Sequence, residues 1–262
     1  MKIAVFSDVH SNLEAYRASL MDMARRPDVE RLWCLGDIVG YGAEPELCVG
    51  ITAALAGDAP PPDLDAEFAG AVERLAGRLG PVVLGNHDAA AFGDRIVNYF
   101  SETARTAAHW TTDQISSRAR LFLQNLPLTA AEGDKLLVHA TPVRPREFHY
   151  VLSAADARQV FAATDAHITF FGHTHQPTVL PEIAIPGGGM APGGLAAGRC
   201  LVNVGSVGQP RDRDPRACYV LYDPEEAGLE FVRVEYDVET AARKITEAGL
   251  PAVLAERLHH GW

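Results

Sequence analysis

No stretch of the chain approaches the roughly eighteen consecutive apolar residues of a membrane-spanning helix, and the first residues enter a strand without the layout of a secretory signal. A cytoplasmic protein with no membrane partner is the expectation. Cysteine is sparse: Cys34, Cys48, Cys200 and Cys218 are scattered, with no C-x-x-C pair. A disulfide framework or a thiolate zinc site is disfavoured, and buried free thiols are expected instead. Positive charge is also short, since 23 Lys and Arg against 34 Asp and Glu leave a net charge of −11. That balance argues against a nucleic-acid partner held through its phosphate backbone, and hence against a nuclease. A small anion stays admissible where metal ions reverse the local field.

What is present is the composition of a globular protein, 47% hydrophobic and 22% charged over 262 residues. No internal repeat and no convincing linker divides it, so residues 1–262 are expected to form a single domain. Lys2 to Phe6 is an apolar run with no helical period and reads as a strand buried on both faces. Ser11 to Glu14 fits a capping box, and Leu13, Tyr16, Leu20 and Met23 follow at helical spacing. Arg31–Leu35 is a second strand, which makes a right-handed parallel unit with the first. Helices are expected over 45–55 and 66–78, with an exposed Pro-rich connector at 58–62, and a strand over 81–84. One long amphipathic helix is expected from Ser101 to about Leu126, then a strand over 135–138, a helix over 153–163 and a strand over 167–171.

From Thr178 the composition shifts to short β-rich runs (178–180, 200–204, 217–222, 229–234), the pattern of an antiparallel second sheet that the C-terminal part, about 178–262, completes with terminal helices over 238–260. The Gly-, Pro- and Ala-rich stretch 186–198 lacks P-loop spacing and reads as a flexible loop.

Five of these strands end in the same kind of residue: Asp8 and His10, Asp37, Asn86 with His87, His139, then His173 and His175. In an open sheet the carboxyl ends of neighbouring parallel strands lie side by side, so residues far apart in sequence converge there. Any one of these pieces alone is as well explained by a solvated turn; the recurrence is what carries weight. Seven donors besides His87 exceed the needs of one ion and divide naturally between two, with a carboxylate able to bridge. Imidazole, carboxylate and amide donors without thiolate suit manganese, iron, cobalt, nickel or zinc. The remaining histidines, His109, His167, His259 and His260, carry the ordinary reading of surface or packing roles.

Asp8-x-His10, Gly36-Asp37, Gly85-Asn86-His87-Asp88, His139 and Gly172-His173-x-His175 resemble, in order, the five motifs of the calcineurin-like metallophosphoesterases, over about two thirds of the chain. Asn203 to Asp212 is similar to a loop of the small bacterial and archaeal phosphodiesterases of that superfamily. The resemblance implies an α/β fold, a four-layer αββα sandwich with two mixed β-sheets. It implies two divalent transition-metal ions, manganese foremost, with Asp8, His10 and His175 on the first, Asn86, His139 and His173 on the second, and Asp37 bridging. It further implies hydrolysis of a small phosphoester, a nucleotide among the candidates, by a metal-bridging hydroxide, with His87 protonating the leaving oxygen; Asp88, next in the chain, is a candidate to orient His87, against the plain reading of a loop carboxylate. The Asp-Arg-Gly continuation of protein phosphatases is missing, since the chain reads Gly36-Asp37-Ile38-Val39-Gly40. A phosphoprotein phosphatase is therefore disfavoured, and substrate contacts fall to Asn12, Tyr41, Arg144, His149 and Arg211, with residues 141–150 as a candidate lid. The competing reading, a protein-binding scaffold on the same fold, is disfavoured because every donor position carries a competent residue.

Overall fold

Alternation in the first strand sets the layering. A computed structural model describes residues 1–182 and 198–262. In it β1 (Lys2–Phe6) turns Ile3 and Val5 to one side and Ala4 and Phe6 to the other, all 4% exposed or less. Ala4 and Phe6 meet the helices Leu13–Arg25 and Pro45–Leu55 through Tyr16, Leu20 and Ile51. Ile3 and Val5 face the second sheet.

Two five-stranded mixed sheets result. The first takes β2 (Val29–Cys34) and β3 (Leu79–Val82) parallel to β1, and the second is built on β4 (Thr129–Glu132), β5 (Lys135–Val138) and β6 (Ile168–Phe171). In the second sheet β7 (Thr178–Pro181) is the antiparallel edge beyond β8 (Cys200–Asn203), which lies parallel to β6. On the other flank of β1, β9 (Ala217–Asp223) and β10 (Gly228–Val234) add antiparallel to the first sheet. Between the sheets Trp33, Phe170 and Tyr222 form an aromatic cluster with ring centroids 5.4 to 6.4 Å apart. Val160 and Phe161 of the helix Ala154–Ala163 cover the far face of the second sheet against Val138, Phe171 and Leu201. The order is helix, sheet, sheet, helix, as the motif resemblance implies.

Three expectations need correction. The C-terminal strands do not form one antiparallel sheet: β8 pairs parallel with β6, and β9 and β10 complete the first sheet instead. The long helix is two, Glu102–Gln114 and Ser117–Gln124, because Ile115 is extended and the Ser116 side chain accepts the Ala119 N–H as a new N-cap. The first helix is capped by Asn12, whose Oδ1 accepts the Ala15 N–H, rather than by Ser11, which sits at φ 54°. The expected loop at 186–198 falls, up to residue 197, outside the described residues. All four cysteines are buried free thiols, and burial pushes the Cys200 thiol up to about 11.

Candidate metal centre

Five strand tips meet at one end of the sandwich, three from the first sheet and two from the second. Backbone bonds zip the tips of β1 and β2 beyond the strands: Leu35 N to Phe6 O, Asp8 N to Gly36 O, and His10 N to Asp37 O, at 2.8 to 3.0 Å. The same happens in the second sheet, where Gly172 N donates to His139 O at 2.9 Å. Two bonds then cross from sheet to sheet. His139 Nδ1 donates to Leu35 O at 2.8 Å, and His173 N donates to Asp8 Oδ2 at 3.1 Å.

The local backbone is strained. Asp8, His10, Asp37, His173 and His175 all lie at φ between 50° and 64°, where a residue with a Cβ costs about 1–2 kcal/mol. Such outliers concentrate where a site over-determines its geometry. Two glycines make room: a Cβ on Gly85 would lie 2.0 Å from Asp37 Oδ1, and one on Gly172 would lie 2.4 Å from Asp8 Oδ2.

The structure brings all seven expected donors together, none more than 5% exposed. His10 Nε2 and His175 Nε2 are 3.1 Å apart, and Asp8 Oδ1 is 3.2 Å from His175 Nε2. His139 Nε2 stands 3.0 Å from Asn86 Oδ1, 3.2 Å from Asp37 Oδ2 and 3.2 Å from His173 Nδ1. Asp37 Oδ2 is also 3.7 Å from His10 Nε2, so this carboxylate stands between the two groups.

These residues fit divalent cations on their own chemistry. Ligand atoms about 2.0–2.2 Å from one ion lie roughly 3–3.5 Å from each other, the spacing seen here. The Nδ1 atoms of His10 and His175 donate to Val39 O and Gln209 O, which leaves two Nε2 lone pairs facing each other. Asp8 Oδ1 is buried without a hydrogen-bond partner. Burial alone would lower His139, but the adjacent Asp37 carboxylate outweighs it and lifts the ring to about 9. Burial, and next His139, holds His173 well below the usual imidazole range. Burial and the nearby Arg211 charge lower His175 to about 4.

His87 lies between the Tyr41 and Phe100 rings, with centroids at 4.3 and 4.6 Å, and edge-on to His10 at 5.0 Å. One of its nitrogens lies within 4.8 Å of donor atoms of His10 and Asp37. Burial pushes it down to about 3. Asp88 does not orient it: Asp88 accepts the Val39 and Gly85 N–H groups at 3.1 and 3.2 Å, while His87 Nδ1 has no partner. Asp88 therefore clamps the β2 and β3 tips together, and burial, then the Asp37 charge, raises it to about 7.

A cleft of about 900 Å³ opens over this floor. Of the expected substrate contacts, Tyr41, His149 and Arg211 line it. Asn12 does not, being the buried helix cap that also donates to Gly208 O at 2.8 Å. Arg144 is turned to solvent, paired with Glu147 at 2.8 Å, and His149 bonds the same carboxylate at 2.7 Å. Within 141–150 it is Tyr150 that returns over the floor, stacked on His173 at 4.0 Å and 25°. Phe100, Tyr150, Gln209 and Arg257 escaped sequence reasoning. Gln209 lies in the Asn203–Asp212 segment that the motif resemblance had flagged; Arg257 sits in a terminal helix that carries no motif.

The comparisons agree with this geometry. An uncharacterized protein of Methanocaldococcus jannaschii is 36% identical over 271 aligned positions, covering 99% of this chain and 98% of that one. The crystal structure of a metallophosphoesterase from Sphaerobacter thermophilus matches with a TM-score of 0.79 at 35% identity over 100% of both chains. That of a hypothetical protein from Pyrococcus horikoshii matches with a TM-score of 0.74 at 19% identity, over 100% of this chain and 98% of that one, and speaks for the fold alone. No helix among the described residues is long and apolar enough to cross a membrane. With the family model for the calcineurin-like phosphoesterase superfamily domain matching residues 1–227, the chain belongs to that superfamily.

Proposed function

We propose that the chain is a dinuclear metal-dependent phosphodiesterase acting on a small phosphoester of the nucleotide class. The observation that carries this reading is the sharing of Asp37 Oδ2 between two groups of buried donors, 3.2 Å from His139 Nε2 and 3.7 Å from His10 Nε2. Asp8, His10 and His175 would hold the first ion and Asn86, His139 and His173 the second, and manganese would suit this donor set. When bound, two divalent cations supply Lewis acidity toward phosphate oxygens and a lowered pKa for water.

The chain's own residues do the rest. Asp37 accepts the backbone N–H of His87 on Oδ1 at 2.8 Å, which keeps Oδ2 aimed between the two groups. Carbonyls of Val39, Leu35 and Gln209 fix the tautomers of His10, His139 and His175. In this reading His87, whose ring lies between Tyr41 and Phe100, gives a proton to the leaving oxygen, with the negative charge of a bound phosphoester offsetting the burial that keeps the ring neutral. Tyr41, Phe100 and Tyr150 offer flat faces for a nucleobase or another planar group.

The test strips the protein of metal, reloads it with single metals, and follows bis-p-nitrophenyl phosphate, p-nitrophenyl phosphate and a nucleotide panel. Diester turnover restored by manganese and exceeding monoester turnover is expected. No turnover with any metal would sink the reading.

A further inference from the structure

Beside the donor floor the cleft wall carries two guanidinium groups with no counter-charge among the described residues. Arg211 follows β8 and Arg257 belongs to the last helix, yet both donate to one atom, Gln209 Oε1, at 2.8 and 3.2 Å. Gln209 is 2% exposed, and its backbone oxygen holds His175 Nδ1 at 2.6 Å. The pair is thus tied to the floor through one buried residue.

A neutral amide oxygen does not offset two positive charges. The nearby carboxylates Asp212 and Asp214 are engaged with Arg233 and Arg216. Among the described residues no carboxylate lies within 4.0 Å of either guanidinium. The Nε atoms of both arginines are buried with no hydrogen-bond partner among the described residues. Aromatic faces keep the groups in place: Arg211 lies over Tyr41 at 5.7 Å and Arg257 over Trp262 at 5.9 Å. Tyr41 in turn touches His10 and His87, with ring centroids at 4.7 and 4.3 Å. Arg211 therefore borders the floor beside the Tyr41 ring, and Arg257 joins it there through Gln209 Oε1.

Two like charges held together on the wall of an open cleft, with a single neutral acceptor between them, match the bidentate recognition of phosphate oxygens. We propose that Arg211 and Arg257 form a subsite for a second, unreacted phosphate, so that the preferred substrate is a phosphodiester that carries a further phosphate group. This deepens the phosphodiesterase reading above and rests on it.

Two substrates with the same reacting ester and chromophore separate the question: thymidine 5′-(p-nitrophenyl phosphate) and its 3′-phosphorylated counterpart, given to the manganese-loaded protein. The expected preference for the 3′-phosphorylated substrate is about tenfold or more in kcat/KM, shrinking to within about twofold in Arg257→Gln and in Arg211→Gln. Equal turnover of both substrates by the wild type, or a preference that survives in both variants, overturns the subsite and leaves the phosphodiesterase reading standing. A second arm needs no turnover. Calorimetric titration of the metal-free protein with inorganic pyrophosphate is expected to show binding that weakens about tenfold or more in either variant. Absent binding, or binding unchanged in both, overturns the subsite by itself. Turnover of neither nucleotide substrate nor bis-p-nitrophenyl phosphate with any metal overturns the phosphodiesterase reading, while pyrophosphate binding still decides the subsite.

Discussion

The floor and the rim of the cleft are built on opposite principles. Each metal-ligand candidate on the floor is at most 5% exposed, and most are pinned by a backbone group, as Asp8 is by His173 N and His139 by Leu35 O. The rim is made of long side chains on loops and helix ends, with Tyr99 85% and Tyr150 50% exposed. Strain is also distributed unevenly, since five of the seven floor donors sit at positive φ. Rigid, strained and buried groups suit chemistry that must not reorganise. Exposed and separately anchored groups suit discrimination among substrates, which loops can alter without disturbing the chemistry.

The sharpest way to break that contrast is at the residue both donor groups share. Asp37→Ala removes the carboxylate that stands between them and lifts His139. We expect turnover to fall on the order of 10³, about 4 kcal/mol of transition-state stabilisation, with bound metal per chain, counted by mass spectrometry, falling as well. Full metal content with near-normal turnover would mean that the floor is not the reacting centre.

His87 lies where floor passes into rim, and its loss should separate binding from chemistry. His87→Ala is expected to keep both metals and to lose about 10²-fold or more on substrates with an alkoxide leaving group. The loss should be much smaller with p-nitrophenolate, which needs no proton. A loss equal for both leaving groups would assign the ring to packing between Tyr41 and Phe100 rather than to proton transfer.

The same contrast explains what was legible in the sequence. Floor residues were readable because a strand tip fixes a donor locally and five such tips recur in order. Asp8, Asp37 and His139 were identifiable without knowing which strand lies beside which. Strand partnership was not: β9 and β8 are similar apolar runs, yet Ile3 opposite Tyr222 draws one into the first sheet, and Phe170 opposite Val202 draws the other into the second. That choice is made by packing across the whole sandwich. The break at Ile115 was hidden because helical periodicity runs through it, and only the Ser116 cap reveals it. Asp88 was misread because a carboxylate next to a histidine suggests a partner, whereas both its oxygens are occupied by backbone N–H groups. Arg257 had no motif at all; it reaches the cleft only because the last helix folds back beside the Gln209 loop.

The smallest expected effect tests whether the rim has an outer limit. Arg144 is among the residues to which substrate contacts fall once the Asp-Arg-Gly continuation is missing. Instead its backbone is left-handed at φ 50°, and its side chain is 67% exposed, held to Glu147 at 2.8 Å. An exposed pair at such spacing contributes only about 0–1 kcal/mol, because solvent screens the attraction and two long side chains lose freedom. Arg144→Ala should therefore change kcat/KM for a phosphodiester by less than about twofold, and stability in urea by no more than about 0.5 kcal/mol. The side chain also releases one of the two partners of Glu147, the other being His149 at 2.7 Å, so His149 keeps its acceptor in the variant. A drop of about tenfold in kcat/KM with kcat preserved would show that the 141–150 segment swings inward when substrate binds and brings Arg144 to the phosphate. The boundary between floor and rim would then belong to the free protein only, and specificity would be completed by closure rather than by the groups that already face the cleft.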